Sequence, residues 1–572
     1  MKNRPEAERT LDEWVAGFLQ KFPLPLQDAK DSPVACAVLL SVLTFLFLVP
    51  FVGKAYHIDD PLFLWAAQHI HVSPLDPYGF SLNWYGSEAP MWDVMKNPPL
   101  VSYYLAAVAL FFGWGEVAIH LALILPAVGV ILGTYYAARL LRLQPIHAAL
   151  TCLATPVFIV SGTNVMSDML MLCFWVWSVG LWIKGLEGSR TALLAFSAFL
   201  IALSALTKYY GMALIPLLFV YSLVRKRSLG LWVLPLLLPL CVLAVYQWYT
   251  GTLYGPGLIT EAAKYSAATR SEHFNEFVQL MIGTAFVGGC VISGLFCAPL
   301  VWRWKWLLGA GIFTLIVMVL LSGVETIGDV SLRDSDGIRW SLIVHFSIFL
   351  VAGISIFMLA VGDLWKHRDA TSILFALWIG GTVVFSSLVN WSINARTLLP
   401  MVPAVAILLM RRMYSQDAPA ALKRPIHACW ALIAAAVLSL LVGYADFTLA
   451  NSGKAAAIQI EERYGRNMQR VFFQGHWGFQ YYMERHGARA VDAMKTDYRP
   501  GDIFVVPLNN ISLIMMNVRS FLPAGKFSVQ TLKYLATMNH YTSAAFYSDA
   551  YGILPYSFGP VPPEPYDLWS VK

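Results

Sequence analysis

The hexapeptide Tyr56-His57-Ile58-Asp59-Asp60-Pro61 sets two adjacent carboxylates at the edge of an apolar run, ahead of Leu62-Phe63-Leu64-Trp65-Ala66-Ala67. An ionised Asp at a membrane boundary can take the proton of an attacking hydroxyl. Its reference pKa of about 3.9 makes it a weak base unless burial or a neighbour raises it. Asp60 followed by Pro61 is also a helix-start signal, because a carboxylate satisfies free N–H groups and Pro suits the first helical position. The plainer reading therefore makes Asp60 a cap. Adjacent residues cannot both face one pocket from a helix, so Asp59, one place outside, is the stronger candidate for chemistry. His57, His69 and His71 lie close by, but an i, i+2 spacing puts the latter two on different faces. No cysteine or carboxylate cluster completes a ligand set, so no metal is expected.

The elements that must position these groups are membrane spans. The chain has 572 residues, of which 58% are hydrophobic and only 13% charged, about half the ~25% of soluble domains. Mean hydropathy is +0.60. A water-soluble enzyme is excluded, and no nucleic-acid partner is expected from a modest net charge of +6. Apolar runs near 33–53, 116–138, 146–161, 166–183, 191–207, 209–224, 229–249, 276–300, 307–323, 339–361, 370–390, 397–410 and 427–449 predict thirteen spans, which puts the termini on opposite sides. With the N-terminus inside, cytoplasmic segments carry twenty Lys and Arg and the opposite loops eight, as the positive-inside rule requires. That count holds only if the apolar stretch Pro98 to Gly113 lies at the surface as a juxtamembrane helix. The seven cysteines all sit in apolar segments and read as small core residues.

The expected organisation is a cytoplasmic segment 1–32, a transmembrane domain 33–449 with an outer loop 54–115, and an extracytoplasmic tail 450–572. The tail reads as a small α/β domain, with a strand over Arg470 to Gln474, a helix over Trp477 to His486, and a turn at Gly501-Asp502 leading into the strand Ile503 to Pro507.

An acidic pair after the first span, an aromatic-rich surface helix and then Asn97-Pro98-Pro99-Leu100 resemble the protein O-mannosyltransferase and aminoarabinose transferase group of GT-C membrane glycosyltransferases. Met166-Ser167-Asp168-Met169-Leu170 resembles the second outer-loop Asp motif of that group. Leu206-Thr207-Lys208 with Gly211, and Arg396-Thr397-Leu398-Leu399-Pro400 with Pro403, resemble two later motifs. Asp60 stands where Glu is usual, and Asn97 precedes the prolines with Lys96 one place earlier. The resemblance implies a thirteen-span GT-C fold, a catalytic Asp at Asp59, a donor or acceptor contact at Asp168, and inversion at the anomeric carbon.

A polyprenyl-phosphate sugar donor is an anionic lipid whose headgroup needs cations at the interface. Lys208 and Arg396, at outer ends of spans, suit that work, against the simpler reading that long basic side chains snorkel to headgroups. Lys96, Arg270 and Tyr265 are further candidates, the last two in a loop at 250–275 that reads equally as solvated surface. The sequence thus points to an enzyme of the cell envelope, in a bacterial inner membrane with a periplasmic C-terminus, moving one sugar to a hydroxyl acceptor on protein, lipid or glycan. The rivals are a lipid flippase or secondary transporter, for which ionisable groups belong near mid-span, and a non-catalytic assembly protein.

Overall fold

The computed structural model describes residues 32–269, 275–414, 425–495, 498–511 and 520–572. Among them, eight helices are long and apolar enough to cross a membrane, or ten if each of two bent pairs is one span. The bent pairs are Pro145–Leu153 with Pro156–Gly162, turned by 68°, and Glu276–Cys290 with Ser293–Val301, turned by 82°. Pro156 opens the second helix of one pair, where its missing N–H costs nothing but forbids continuing the helix before it.

The count of thirteen is met only in part. The other three apolar runs are helical but shorter or broken: Thr191–Thr207, then Tyr209–Ala213 running into Leu214–Lys226, then Ala395–Leu398, Leu399–Met401 and Val402–Met413. Pro216, Pro400 and Pro403 fall within the last two runs. Prolines that hydropathy does not register divide an apolar run into short helices.

The stretch Pro98 to Gly113 forms the helix Leu100–Phe112, ended by Gly113 at φ +75°. Its 13 residues reach only about 20 Å, short of a ~30 Å hydrocarbon core. It packs on a second 13-residue helix, Asp60–Val72, with the hairpin Ser81–Asn83 and Glu88–Pro90 between them in sequence.

The last span departs from expectation in length. It begins at Pro425 and does not stop near 449 but continues to Tyr464 as one helix of 40 residues, because Ala455, Ala456, Ala457, Gln459, Glu461 and Glu462 favour helix once lipid no longer selects for apolar side chains. The tail then builds a five-stranded sheet. Its order is Phe521–Val529, Glu564–Val571, Ile503–Pro507, Val471–Phe473 and Arg489–Ala490. The last three run parallel and the first two antiparallel to their neighbours. Helix Trp477–Arg485 links two parallel strands, so the strand, helix and strand read from the tail sequence are all present within a residue or two.

This tail helix presses on the loop that carries Asp59. Tyr482 Oη accepts from the Tyr56 N–H at 2.9 Å and donates to Glu116 at 2.5 Å, and Lys454 closes on the same carboxylate at 2.8 Å. A Cβ at Gly478 would lie 1.9 Å from the Tyr56 carbonyl oxygen. Gly478→Ala is expected to push this loop away and destabilise the protein by about 1–3 kcal/mol, read as a lower melting temperature of the detergent-solubilised chain. An unchanged melting temperature would mean that the two backbones do not meet.

Candidate active site

Four of the residues expected at the site converge. Asp59 follows the first span, Asp168 opens the helix Ser167–Glu187, Lys208 follows Thr191–Thr207, and Arg396 lies in Ala395–Leu398. Arg396 Nη2 is 3.3 Å from Asp59 Oδ2 and Nη1 is 3.7 Å from Asp168 Oδ2, while Lys208 Nζ is 2.6 Å from Asp168 Oδ1. The result is a row of alternating charge, Asp59, Arg396, Asp168, Lys208. Its accessibility is graded. The Asp168 side chain is 3% exposed, Arg396 12%, Lys208 17% and Asp59 35%, so the structural carboxylate is sealed while the outer one and both cations stay reachable.

Asp59 occupies the cap position of helix Asp60–Val72 without using its carboxylate as a cap, which leaves that carboxylate to Arg396. Its direction is set by an unusual backbone. Ile58, just before it, has φ +49°, a left-handed conformation that is unfavourable for a β-branched residue.

Asp60 corrects the sequence reading. It is the first helical residue rather than the cap, it is fully buried, and its two oxygens accept the N–H groups of His57 at 2.8 Å and Val165 at 2.9 Å. It therefore ties the Asp59 loop to the turn before Asp168 and is closed to substrate. Burial pushes its carboxyl up to about 7, against the pull of Lys54 and the two N–H donors. Burial likewise lowers the imidazole of His57 to about 3 and keeps it neutral.

Lys96 and Tyr265, from distant segments, do meet, with the Lys96 ammonium 4.9 Å from the Tyr265 ring centroid. Lys96 also pairs with Asp93 at 3.2 Å. Neither is bonded to the charge row. Arg270 lies outside the described residues. His69 sits against Phe80, and His71 against Trp114 and the Ala106 carbonyl. No group of three or more His, Cys, Asp or Glu able to hold a metal occurs among the described residues.

A second cluster went unread in the sequence. Lys54 and Asp446 form an ion pair at 2.5 Å with no exposure on either side. Asn164 accepts from the same ammonium, Thr537 donates to Asp446 at 2.9 Å and Tyr547 donates to it at 2.8 Å. Tyr547 joins the two clusters, because its ring also lies under Arg396, 5.5 Å from the guanidinium carbon. The available signal was Asp446 itself, an acid in an otherwise apolar stretch of the last span, Leu440-Leu441-Val442-Gly443-Tyr444-Ala445.

An apolar groove of about 440 Å³ is lined by Trp175, Tyr209, Tyr210, Leu377, Trp378 and Phe385. Tyr210 stacks between Trp175 and Phe385, and its hydroxyl is spent on Thr382 at 2.9 Å. The groove thus presents almost only carbon, and Tyr209 in its wall directly follows Lys208 in the chain.

Residues 96–249 match the family model described as dolichyl-phosphate-mannose-protein mannosyltransferase. The matched stretch contains Asn97-Pro98-Pro99, Asp168 and Lys208. The match agrees with the resemblance to GT-C membrane glycosyltransferases read from those motifs. Among solved structures, the oligosaccharyltransferase of Archaeoglobus fulgidus is 13% identical with a TM-score of 0.48, over 81% of this chain and 64% of that one. This chain therefore spans somewhat under two thirds of that protein. ArnT from Cupriavidus metallidurans bound to undecaprenyl phosphate is 17% identical with a TM-score of 0.44, over 83% and 93% of the two chains. The protein O-mannosyltransferase Pmt1-Pmt2 complex of S. cerevisiae is 12% identical with a TM-score of 0.30, over 39% and 34%. No curated protein matches the chain.

Two stability outcomes follow from the buried charges. Removing one partner of the Lys54–Asp446 pair leaves the other charge buried, so Lys54→Met or Asp446→Leu alone should cost about 3–5 kcal/mol, and the double variant clearly less than their sum. Additive losses in thermal unfolding would refute a direct pair. For Asp60, the folded-state pKa of about 7 stands above its ordinary 3.8, so between those values the native state binds more protons than the unfolded one. Its contribution to stability is full below 3.8 and lost as pH rises through about 7. Asp60→Asn should flatten that decline in melting temperature; an unchanged slope would mean that Asp60 titrates normally.

Proposed function

We propose that this protein transfers a single sugar from a polyprenyl-phosphate carrier to a hydroxyl acceptor, at the membrane face where Asp59 lies. The observation that carries this reading is the charge row ending in Lys208, whose next residue, Tyr209, lines an apolar groove. A lipid phosphate needs cations beside a carbon-lined channel, and the consecutive residues Lys208 and Tyr209 belong one to each. The matched family is named for a donor of this class, dolichyl phosphate mannose.

Lys208 and the outer edge of Arg396 take the phosphate, which competes with Asp168 for both cations, while the prenyl tail lies along Tyr209, Tyr210 and Phe385. Asp168 keeps the two cations placed when the donor is absent. Asp59, paired with Arg396, offers its carboxylate oxygens as acceptors and so orients the acceptor hydroxyl. As the acceptor oxygen bonds to the anomeric carbon, the bond from that carbon to the phosphate oxygen breaks and its electron pair leaves with the phosphate. The hydroxyl proton passes to Asp59. A carboxylate paired with a cation is a weak base, so the proton moves late, once the forming bond has made the hydroxyl acidic. Attack opposite the leaving phosphate inverts the anomeric centre.

In this reading, residues 33–449 form the transferase domain, 54–115 its outer catalytic loop and 450–572 an extracytoplasmic domain, with 1–32 in the cytoplasm of a bacterial inner membrane. Lys96 and Tyr265 serve as an outer contact for the donor or acceptor, and Arg270 is assigned to the same work from the sequence alone.

The test is transfer of radiolabelled sugar from polyprenyl-phosphate donors by the purified chain. Asp59→Asn should lower kcat by about 10²-fold or more with little change in donor KM. Lys208→Met should raise donor KM. Full activity in Asp59→Asn, with wild-type folding, would remove the carboxylate from the reaction.

A further inference from the structure

A chamber of about 480 Å³ opens where Asn390 to Ile393, the tail segment His540 to Ile553 and the hairpin loop Ile327 to Ser331 come together. Its size is that of a small-molecule site. None of the four residues of the charge row lines it, yet its wall is continuous with theirs. Asp549 N–H donates to the Ile393 carbonyl at 2.9 Å, and Ala395 N–H to the Phe546 carbonyl at 2.8 Å. Arg396 follows Ile393 by three residues, at most about 11 Å of chain.

The lining mixes hydrogen-bonding groups of both kinds with flat rings. Asp549 accepts from Ser392 at 2.7 Å, and Arg339 donates to the Ser331 carbonyl at 2.9 Å and the Ser543 hydroxyl at 3.0 Å. His540 and Tyr551 stack with ring centroids 3.9 Å apart. Asn390, Ser392 and Asp549 of the same wall are only partly buried, so their polar groups can be reached from the chamber.

We propose that this chamber binds a saccharide ring of the acceptor, so that the acceptor is a glycan rather than a polypeptide. The inference rests on the transfer reading above and names its acceptor class. A sugar ring offers hydroxyls that donate and accept, matching Asp549, Asn390 and Ser392, and apolar C–H faces that lie against aromatic rings. An extended peptide asks instead for free backbone N–H and C=O groups along an edge. Here several of those groups are already paired: Phe546 N–H with Thr537, Ala545 N–H with Leu554, Asp549 N–H with Ile393. A ring seated in the chamber leaves the next residue of the glycan to reach Asp59.

The test is binding, measured apart from turnover, by saturation-transfer NMR on the full-length chain in detergent with glucose, galactose, mannose, N-acetylglucosamine and maltose as probes. Signal is expected for at least one sugar, weakened about tenfold or more in Asp549→Asn and in Asn390→Ala, and retained in Asp59→Asn. If Asp549→Asn loses its melting transition, the milder Asn390→Ala decides. No signal from the wild-type chain, equal signal from the chamber variants, or loss of signal in Asp59→Asn would overturn the proposal. So would a threonine-containing peptide that binds and is lost in the chamber variants. Sugar binding with intact transfer by Asp59→Asn would instead sink the transfer reading while leaving the chamber occupied.

Discussion

A guanidinium cannot be withdrawn from water near a bilayer unless carboxylates surround it, and Arg396 meets that condition only where Asp59 and Asp168 reach it together. These three residues and Lys208 come from four separate segments. The end of the first span, the start of the helix Ser167–Glu187, the break after Thr207 and the short helix Ala395–Leu398 must therefore meet at one level. Interruptions in the apolar runs make this possible. Lys208 sits in the extended residue between two helices, and Arg396 follows the Asn394 cap, whose side chain accepts from Thr397 N–H at 3.0 Å.

The tail completes this arrangement from the other side. Ile58 and Trp477 both have positive φ, +49° and +66°, and they flank the contact between Tyr56 and Gly478. Strained residues on two facing segments persist only where surrounding packing over-determines them. The Tyr482, Glu116 and Lys454 bonds supply such packing. Tyr547 adds a second tie, with its hydroxyl on Asp446 and its ring against Arg396. The tail is thus part of the frame that aims Asp59.

Asp59, Asp168, Lys208 and Arg396 were legible in the sequence because ionisable residues at the ends of apolar runs stand out, and because their motifs resemble those of a known superfamily. Their pairing was not, since spans distant in sequence give no sign of which ends adjoin. Asp60 was misread as a helix cap because local start signals are blind to the Val165 N–H, 105 positions away. Lys54 and Asp446 lie 392 positions apart, and only in three dimensions do they neutralise each other. Two tail strands and the tail helix were legible from short-range alternation, whereas the strands Arg489–Ala490, Phe521–Val529 and Glu564–Val571 went unread, and the continuation of the last span to Tyr464 required weighing helix propensity beyond the membrane.

The central claim is that the cations of the charge row receive a lipid phosphate. It is tested most directly by a structure of the full chain with a polyprenyl phosphate bound. The account predicts phosphate oxygens within hydrogen-bond distance of Lys208 and Arg396, with the first isoprene units along Tyr209 and Tyr210. A headgroup seated elsewhere, with the bonds from Arg396 and Lys208 to the carboxylates undisturbed, would contradict it.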